Sequence, residues 1–333
     1  MKKALIIVMV MVMAMAWAAQ SVNTQTAPTP QALPGGQAQN PRPTIQVSTG
    51  LVRLVVTVTD KQHNYITDLD QSDFKVFEDG AQQQIQHFAR ETDLPLRVAL
   101  LLDTSNSIRP RLQFEQEAAT DFLSLVIRRN VDMAFLMTFD NEPQVIQDYT
   151  GDAALLAGAI QKQRAGGGTA LDDAMVMASK RLETPPPPSG ADAEVRRVIV
   201  VISDGNDNLS DHPLSDAIQE ALRAEACVYA VSTNTDWLAI DDESKPSKYH
   251  MDEGDKVLQN FADQTGGRAF FPYKADDLAQ SFVAIETELR QQYLIAYAPS
   301  VPLAKGGYRT ILVQTNRKGL TVRTRKGYYA GKS

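Results

Sequence analysis

Cysteine is nearly absent from this chain: Cys227 is the single one among 333 residues. No internal disulfide is therefore available, and the core must hold by packing alone. Cys227 lies in the apolar run ACVYAVS, where it reads as a small buried apolar residue. Blocks of basic residues are absent too. The formal net charge is −7, and the lysines and arginines are scattered, which argues against nucleic acid as a partner. The four histidines, His63, His87, His212 and His250, lie far apart with no zinc spacing and read as surface or packing residues. No nucleophile-elbow sequence with the matching acid and histidine order is present. Beyond the N-terminus, no segment is long and apolar enough to span a membrane.

What is present begins with MKKALIIVMVMVMAMAWAAQ. Lys2 and Lys3 form a basic n-region, an apolar stretch runs from Ala4 to about Met15, and Ala16 and Ala18 frame an A-x-A site. Residues 1–18 are thus expected to be a secretory signal peptide cut after Ala18. The alternative is an uncleaved anchor, although the stretch is short for a spanning helix. No cysteine follows it to take a bacterial lipid anchor. The expected location is secreted or periplasmic, with no membrane span after cleavage. Residues 19–44 are rich in Gln, Pro, Ala and Thr, cannot bury a core, and read as a disordered linker.

From Ile45 the pattern changes. Val52, Leu54, Val56 and Val58 alternate with polar residues, as in a half-buried strand. Phe74–Phe77 reads as a second strand, Asp79-Gly80 as a hairpin turn, and Ile85–Phe88 as its return strand. After Leu96 the chain switches to alternating strands and helices. Val98–Leu102, Met133–Met137, Val198–Ile202 and Cys227–Val231 are apolar runs suited to strands buried on both faces. Helices are expected with Phe114, Ala118, Phe122 and Leu125 on one face, and over 153–164, 171–182, 214–224, 256–265 and about 278–289. Past 292, strands return at Tyr293–Tyr297, Tyr308–Thr315 and Leu320–Thr324, the last two read as a hairpin turning at Lys318-Gly319. The expected class is α/β: a doubly wound, Rossmann-like domain at 95–291 inserted into a small all-β, sandwich-like domain made of 45–92 and 292–330. Neither β segment has enough strands to stand alone, which favours their pairing over two separate appendages.

Five residues carry the chemistry. Asp103, Ser105 and Ser107 follow the run LLL, Thr169 follows Gly166-Gly167-Gly168, and Asp204 follows VVIS. In an open α/β sheet, ligands bind beyond the carboxyl ends of the strands, so these positions can converge there. All five offer oxygen only, two charged and three neutral, which suits a hard divalent cation: Mg2+ first, with Mn2+ or Ca2+ as alternatives. Taken singly, the aspartates read as strand-end caps and the serines as helix caps. Asp172 and Asp173 read as helix-start charges.

In this order the residues resemble a known family. D-T-S-N-S at 103–107 is similar to the D-x-S-x-S motif of von Willebrand factor type A domains, Thr169 in GGGTAL to their isolated threonine, and Asp204 in ISDG to their later aspartate. The resemblance covers about 95–292 and implies a complete metal-ion-dependent adhesion site. Asn106 stands where many members carry glycine, at a position that is not a ligand. The flanks VTVTDKQHNYITDLDQSDFKVFEDG, GRAFFP and VRTRKGYYA resemble a bacterial branch described from acidobacteria. The resemblance implies a non-enzymatic adhesion or interaction module whose protein partner offers an Asp or Glu carboxylate to the metal. Two alternatives stay open: a metal-independent envelope scaffold, and a phosphatase or hydrolase on the same core.

Overall fold

A computed structural model describes residues 50–90, 94–187, 194–234, 251–272 and 275–331. The signal peptide expected at 1–18, the linker expected at 19–44, His250 and most of the unassigned polar stretch 234–252 lie outside the described residues.

In chain order, β1 (Val52–Thr59) buries its alternate valines and leucine. It is followed by β2 (Phe74–Glu78), β3 (Ala81–Gln83) and β4 (Ile85–Ala89). Next, β5 (Leu96–Asp103) is buried at every residue. Then come α1 (Leu112–Val126), β6 (Met133–Phe139), β7 (Pro143–Thr150), α2 (Ala153–Ile160) and α3 (Leu171–Glu183). The chain continues through β8 (Arg196–Ser203), α4 (Leu214–Arg223), β9 (Cys227–Ser232) and α5 (Glu253–Thr265). It ends with β10 (Arg268–Phe270), α6 (Ala275–Arg290), β11 (Tyr293–Tyr297), β12 (Gly307–Thr315), β13 (Thr321–Arg323) and β14 (Gly327–Ala330).

Local chemistry sets several of these boundaries. Asp252 caps α5 and exchanges bonds with Asp255 in a capping box, so the helix starts a turn before the expected Lys256. Gly266, at φ 82°, ends it in the left-handed conformation. Helix α2 stops at Ile160 rather than running to 164, because Gln116 from α1 takes the Ile160 carbonyl at 2.7 Å and that of Gln163 at 3.1 Å. On α1, Ala118 and Phe122 are buried and Phe114 packs beside them as expected, but Leu125 is exposed, and Leu112, Glu115, Ala119 and Val126 complete the buried face.

The central sheet has six strands in the order β10-β9-β8-β5-β6-β7. Strands β5, β6, β8, β9 and β10 are parallel, and β7 is an antiparallel edge on β6. Side chains of one strand alternate between faces, so β5 splits its core. Val98, Leu100 and Leu102 pack with α1, α2 and α6, while Ala99 and Leu101 pack with α3, α4 and α5. After β5 the chain winds one way to β6, and later the other way from β8 to β9. The switch point therefore lies between β5 and β8.

The two β segments interleave into two four-stranded sheets, β13-β1-β11-β4 and β14-β12-β2-β3. Their shared core is built from Val52, Leu54, Val56 and Val58 facing Phe74, Val76, Ile311 and Val313, with Tyr293 and Tyr297 between. Two expected hairpins are corrected here. The turn at Asp79-Gly80 returns through Ala81–Gln83, while Ile85–Ala89 crosses to the other sheet to pair with β11. Likewise β13 leaves β12 and pairs with β1. Asn316 explains the second crossing: its backbone N–H and side-chain amide bond the Asp73 and Ser72 carbonyls, which draws the turn away from β12. A buried polar network joins α6 to β9 and β1: Glu288 on α6 accepts from Tyr229 at 2.7 Å and from Gln292 at 3.2 Å, and Gln292 also donates to Thr57 on β1 at 2.6 Å.

Candidate metal centre

The carboxyl ends of β5 and β8, at the switch point, carry Asp103 and Asp204. Asp103 is fully buried. Its Oδ1 accepts from the Ser105 N–H at 2.8 Å and its Oδ2 from the Ser203 hydroxyl at 2.6 Å. The first bond folds the D-x-S loop back over its own strand end. Beyond it, Ser105 Oγ lies 3.0 Å from Ser107 Oγ, and Ser107 Oγ donates to Asp204 Oδ2 at 2.6 Å. Three of the five expected oxygens thus form a continuous row. Ser105 and Asp204 are buried, and Ser107 is exposed, so the row opens to solvent at Ser107.

Thr169 reaches the same place through its backbone. The glycine loop before it is tied to the first loop by Gly166 N–H to the Thr104 carbonyl, 2.8 Å, and Asn106 N–H to the Gly167 carbonyl, 3.2 Å. Thr169 itself is clamped to the loop after Asp204: Asn208 Oδ1 accepts its N–H at 2.9 Å, and the Asn208 N–H reaches its carbonyl at 3.0 Å. Thr169 is therefore stapled between the two aspartate loops. The Asp204 loop is positioned by Gly205, at φ 76°, where an added Cβ would sit 2.2 Å from the Gly254 carbonyl oxygen of α5. Only glycine allows that approach.

Burial sets the electrostatics. It pushes the Asp103 carboxyl up to about 6; the bonds from Ser203 and Ser105 oppose the rise, and the neighbouring Asp204 adds to it. Glu115 on α1, which the sequence reading missed, sits in the same field. Burial, then the charges of Asp103 and Asp204, push it up to about 8, against the pull of Arg111. Neither of its carboxylate oxygens has a hydrogen-bond partner among the described residues. A signal for it existed: Glu115 falls four and seven residues before Ala119 and Phe122, a charge on the apolar face of α1.

Asp172 and Asp173 begin α3, as expected, but they also bind the following loop. Asp173 accepts from the His212 backbone at 3.0 Å and pairs with its ring at 2.6 Å, so His212 has a specific partner. Burial and the charges of Asp207 and Asp173 push Asp172 up to about 7. Cys227 is buried, and burial raises its thiol to about 11, which leaves it inert. Among the described residues no group of three or more His, Cys, Asp or Glu side chains is poised to hold a metal. The five-residue set, with two carboxylates and three hydroxyls, is of a different kind.

A doubly wound α/β domain with an oxygen-lined switch point, set in a β-sandwich, defines the class of protein. The family follows from the sequence of that domain. Residues 98–206 match the model of the von Willebrand factor type A domain, a span that contains all five residues. No curated protein is significantly similar in sequence. Among solved structures, a von Willebrand factor type A protein from Catenulispora acidiphila is 12% identical, with 84% of this chain and 72% of that one covered and a TM-score of 0.47. An aerotolerance-related membrane protein from Bacteroides fragilis is 19% identical over 58% of this chain and 98% of that one, TM-score 0.44. The von Willebrand factor domain of the type V pili tip protein Mfa5 from Porphyromonas gingivalis is 15% identical over 59% and 95%, TM-score 0.42.

Proposed function

We propose that this chain is a secreted protein-binding module that grips its partner through a divalent cation. Type A domains are in general interaction modules, and residues 98–206 match the model of that domain. The observation that carries the metal reading is the row from Ser105 Oγ through Ser107 Oγ to Asp204 Oδ2, spaced 3.0 and 2.6 Å, beside the buried carboxylate of Asp103. Such a set fits Mg2+, which takes six oxygens in octahedral order and keeps water where protein does not reach. Ser105, Ser107 and Thr169 would offer hydroxyls, and Asp103 and Asp204 would bind directly or through water. An Asp or Glu of the partner would fill the open position on the Ser107 side. Mn2+ or Ca2+ would be held by the same atoms. The bound cation would supply Lewis acidity for gripping a carboxylate, without catalysis.

The test is calorimetric titration of Mg2+ and Mn2+ into EDTA-stripped protein. One site is expected in the wild type. None is expected in Asp103→Ala or Thr169→Ala, with the far-UV spectrum showing that each variant is folded. Equal affinity in wild type and folded variants overturns the metal reading. Turnover of a generic phosphate ester by the wild type alone would revive hydrolase chemistry.

A further inference from the structure

At the opposite end of the sheet, where β5, β8 and β9 begin, lies a cavity of about 340 Å³. It is a half-open cleft between the α/β domain and the β-sandwich: Val55 and Leu294 line it from β1 and β11, and Leu222 and Cys227 from α4 and β9. Strand β8 spans eight residues from this cavity to Ser203. The cavity and the row of oxygens are thus about 23 Å apart at roughly 3.3 Å per residue, and they are separate places.

The polar lining is unbalanced. Arg53, Arg196, Arg197 and Arg325 face two carboxylates, Glu194 and Glu225. Glu225 alone serves three of the guanidiniums, at 3.2 Å from Arg53, 3.7 Å from Arg197 and 3.4 Å from Arg325. Glu194 is taken up by Arg53. Arg196 is 4% exposed and pairs with no carboxylate among the described residues. It donates one bond to the Leu289 carbonyl at 2.7 Å, and its Nε and Nη2 have no partner among the described residues. The Nε atoms of Arg197 and Arg325 are also buried without partners among the described residues. Guanidinium groups do not shed their protons in proteins, so this excess of positive charge persists at every relevant pH. A buried charge without a counter-ion is costly, and the usual remedy is an opposite charge at hydrogen-bond distance. Burial, with Arg53 alongside, pulls the Arg197 guanidinium below its ordinary value in spite of the nearby Glu225 and Glu183. Glu225 holds its place with φ at 53°, a left-handed conformation that a non-glycine residue keeps only when its surroundings impose it.

We propose that this cavity binds a small organic anion, with a phosphate or carboxylate head on the arginines and a compact apolar body against Val55, Leu222 and Leu294. The forked donors of arginine match the paired oxygens of such a head, and the volume is at the lower end of small-molecule sites. The site is independent of the metal reading.

The test uses the full chain in EDTA, so that no metal takes up the probe. Phenyl phosphate, benzoate, inorganic phosphate and phenol are titrated by calorimetry. Saturable binding of phenyl phosphate or benzoate is expected, with inorganic phosphate weaker for want of an apolar body and phenol silent for want of charge. Arg197→Gln and Arg53→Gln each remove one positive charge at little change in volume. Each should weaken the binding about tenfold, the loss of one charge-assisted hydrogen bond. Two variants are used so that a folding failure in one leaves the other to decide. No saturable binding of any anion, or unchanged affinity in a folded variant, overturns the proposal.

Discussion

Replacing Glu115 by glutamine should change how the stability of this protein depends on pH, in a direction the structure dictates. In the folded chain the Glu115 carboxyl is pushed up from its ordinary value of 4.5 to about 8, chiefly by burial. The folded state therefore holds this proton more tightly than the unfolded state does. The stability it contributes is full below about 4.5 and is lost as pH rises through about 8. At about 1.4 kcal/mol per pKa unit, titration of this one group should cost the wild type roughly 3 kcal/mol between about pH 5 and about pH 8. Asp103 and Asp172, raised to about 6 and about 7, act in the same direction and are left in place by the substitution. The difference between wild type and Glu115→Gln thus isolates Glu115. Urea denaturation in EDTA at several pH values is the assay. The variant should match the wild type near pH 5 to within about 1 kcal/mol and exceed it near pH 8 by roughly 3. Added Mg2+, if the aspartates hold it, should flatten the wild-type slope, since a nearby cation favours the charged carboxylate. Parallel stability curves for the two proteins in EDTA would refute the claim that Glu115 is buried in the field of Asp103 and Asp204.

Capture of a protein partner should vanish in EDTA, return with Mg2+, and be lost in Thr169→Ala; a complex that ignores both treatments would point to a metal-independent scaffold. In the β-sandwich, Glu78 is buried and accepts from Arg309 at 3.0 Å, Tyr297 at 2.7 Å and Tyr328 at 2.9 Å. Glu78→Gln leaves Arg309 uncompensated and should cost about 3–5 kcal/mol in thermal or urea unfolding, and a loss under about 1 kcal/mol would mean the guanidinium finds water. Gly267 lies so close to β9 that an added Cβ would meet the Val228 carbonyl oxygen at 1.8 Å. Gly267→Ala should therefore destabilise by at least about 3 kcal/mol, and a neutral result would show that the β9–β10 pairing can open.

The amino-acid sequence by itself determined the character of each layer. Val98–Leu102 and Val198–Ile202 are apolar at every position, which is legible because strands covered on both faces need no polar alternation. The loops that carry Asp103, Ser105, Ser107 and Asp204 were legible because motifs at strand ends are local in sequence, and the sheet places the ends of β5 and β8 side by side. Only the tertiary structure decided the rest. Strands β3 and β13 are three residues each, too short for any periodicity, and their partners are set by turns such as that at Asn316 and by which sheet edge lies near. The placement of Glu115 beneath the aspartates, and the gathering of Arg53, Arg196, Arg197 and Arg325 around two carboxylates, join residues from distant parts of the chain. Burial creates their unusual charge states, and burial is a property of the packed molecule that no local run of residues records.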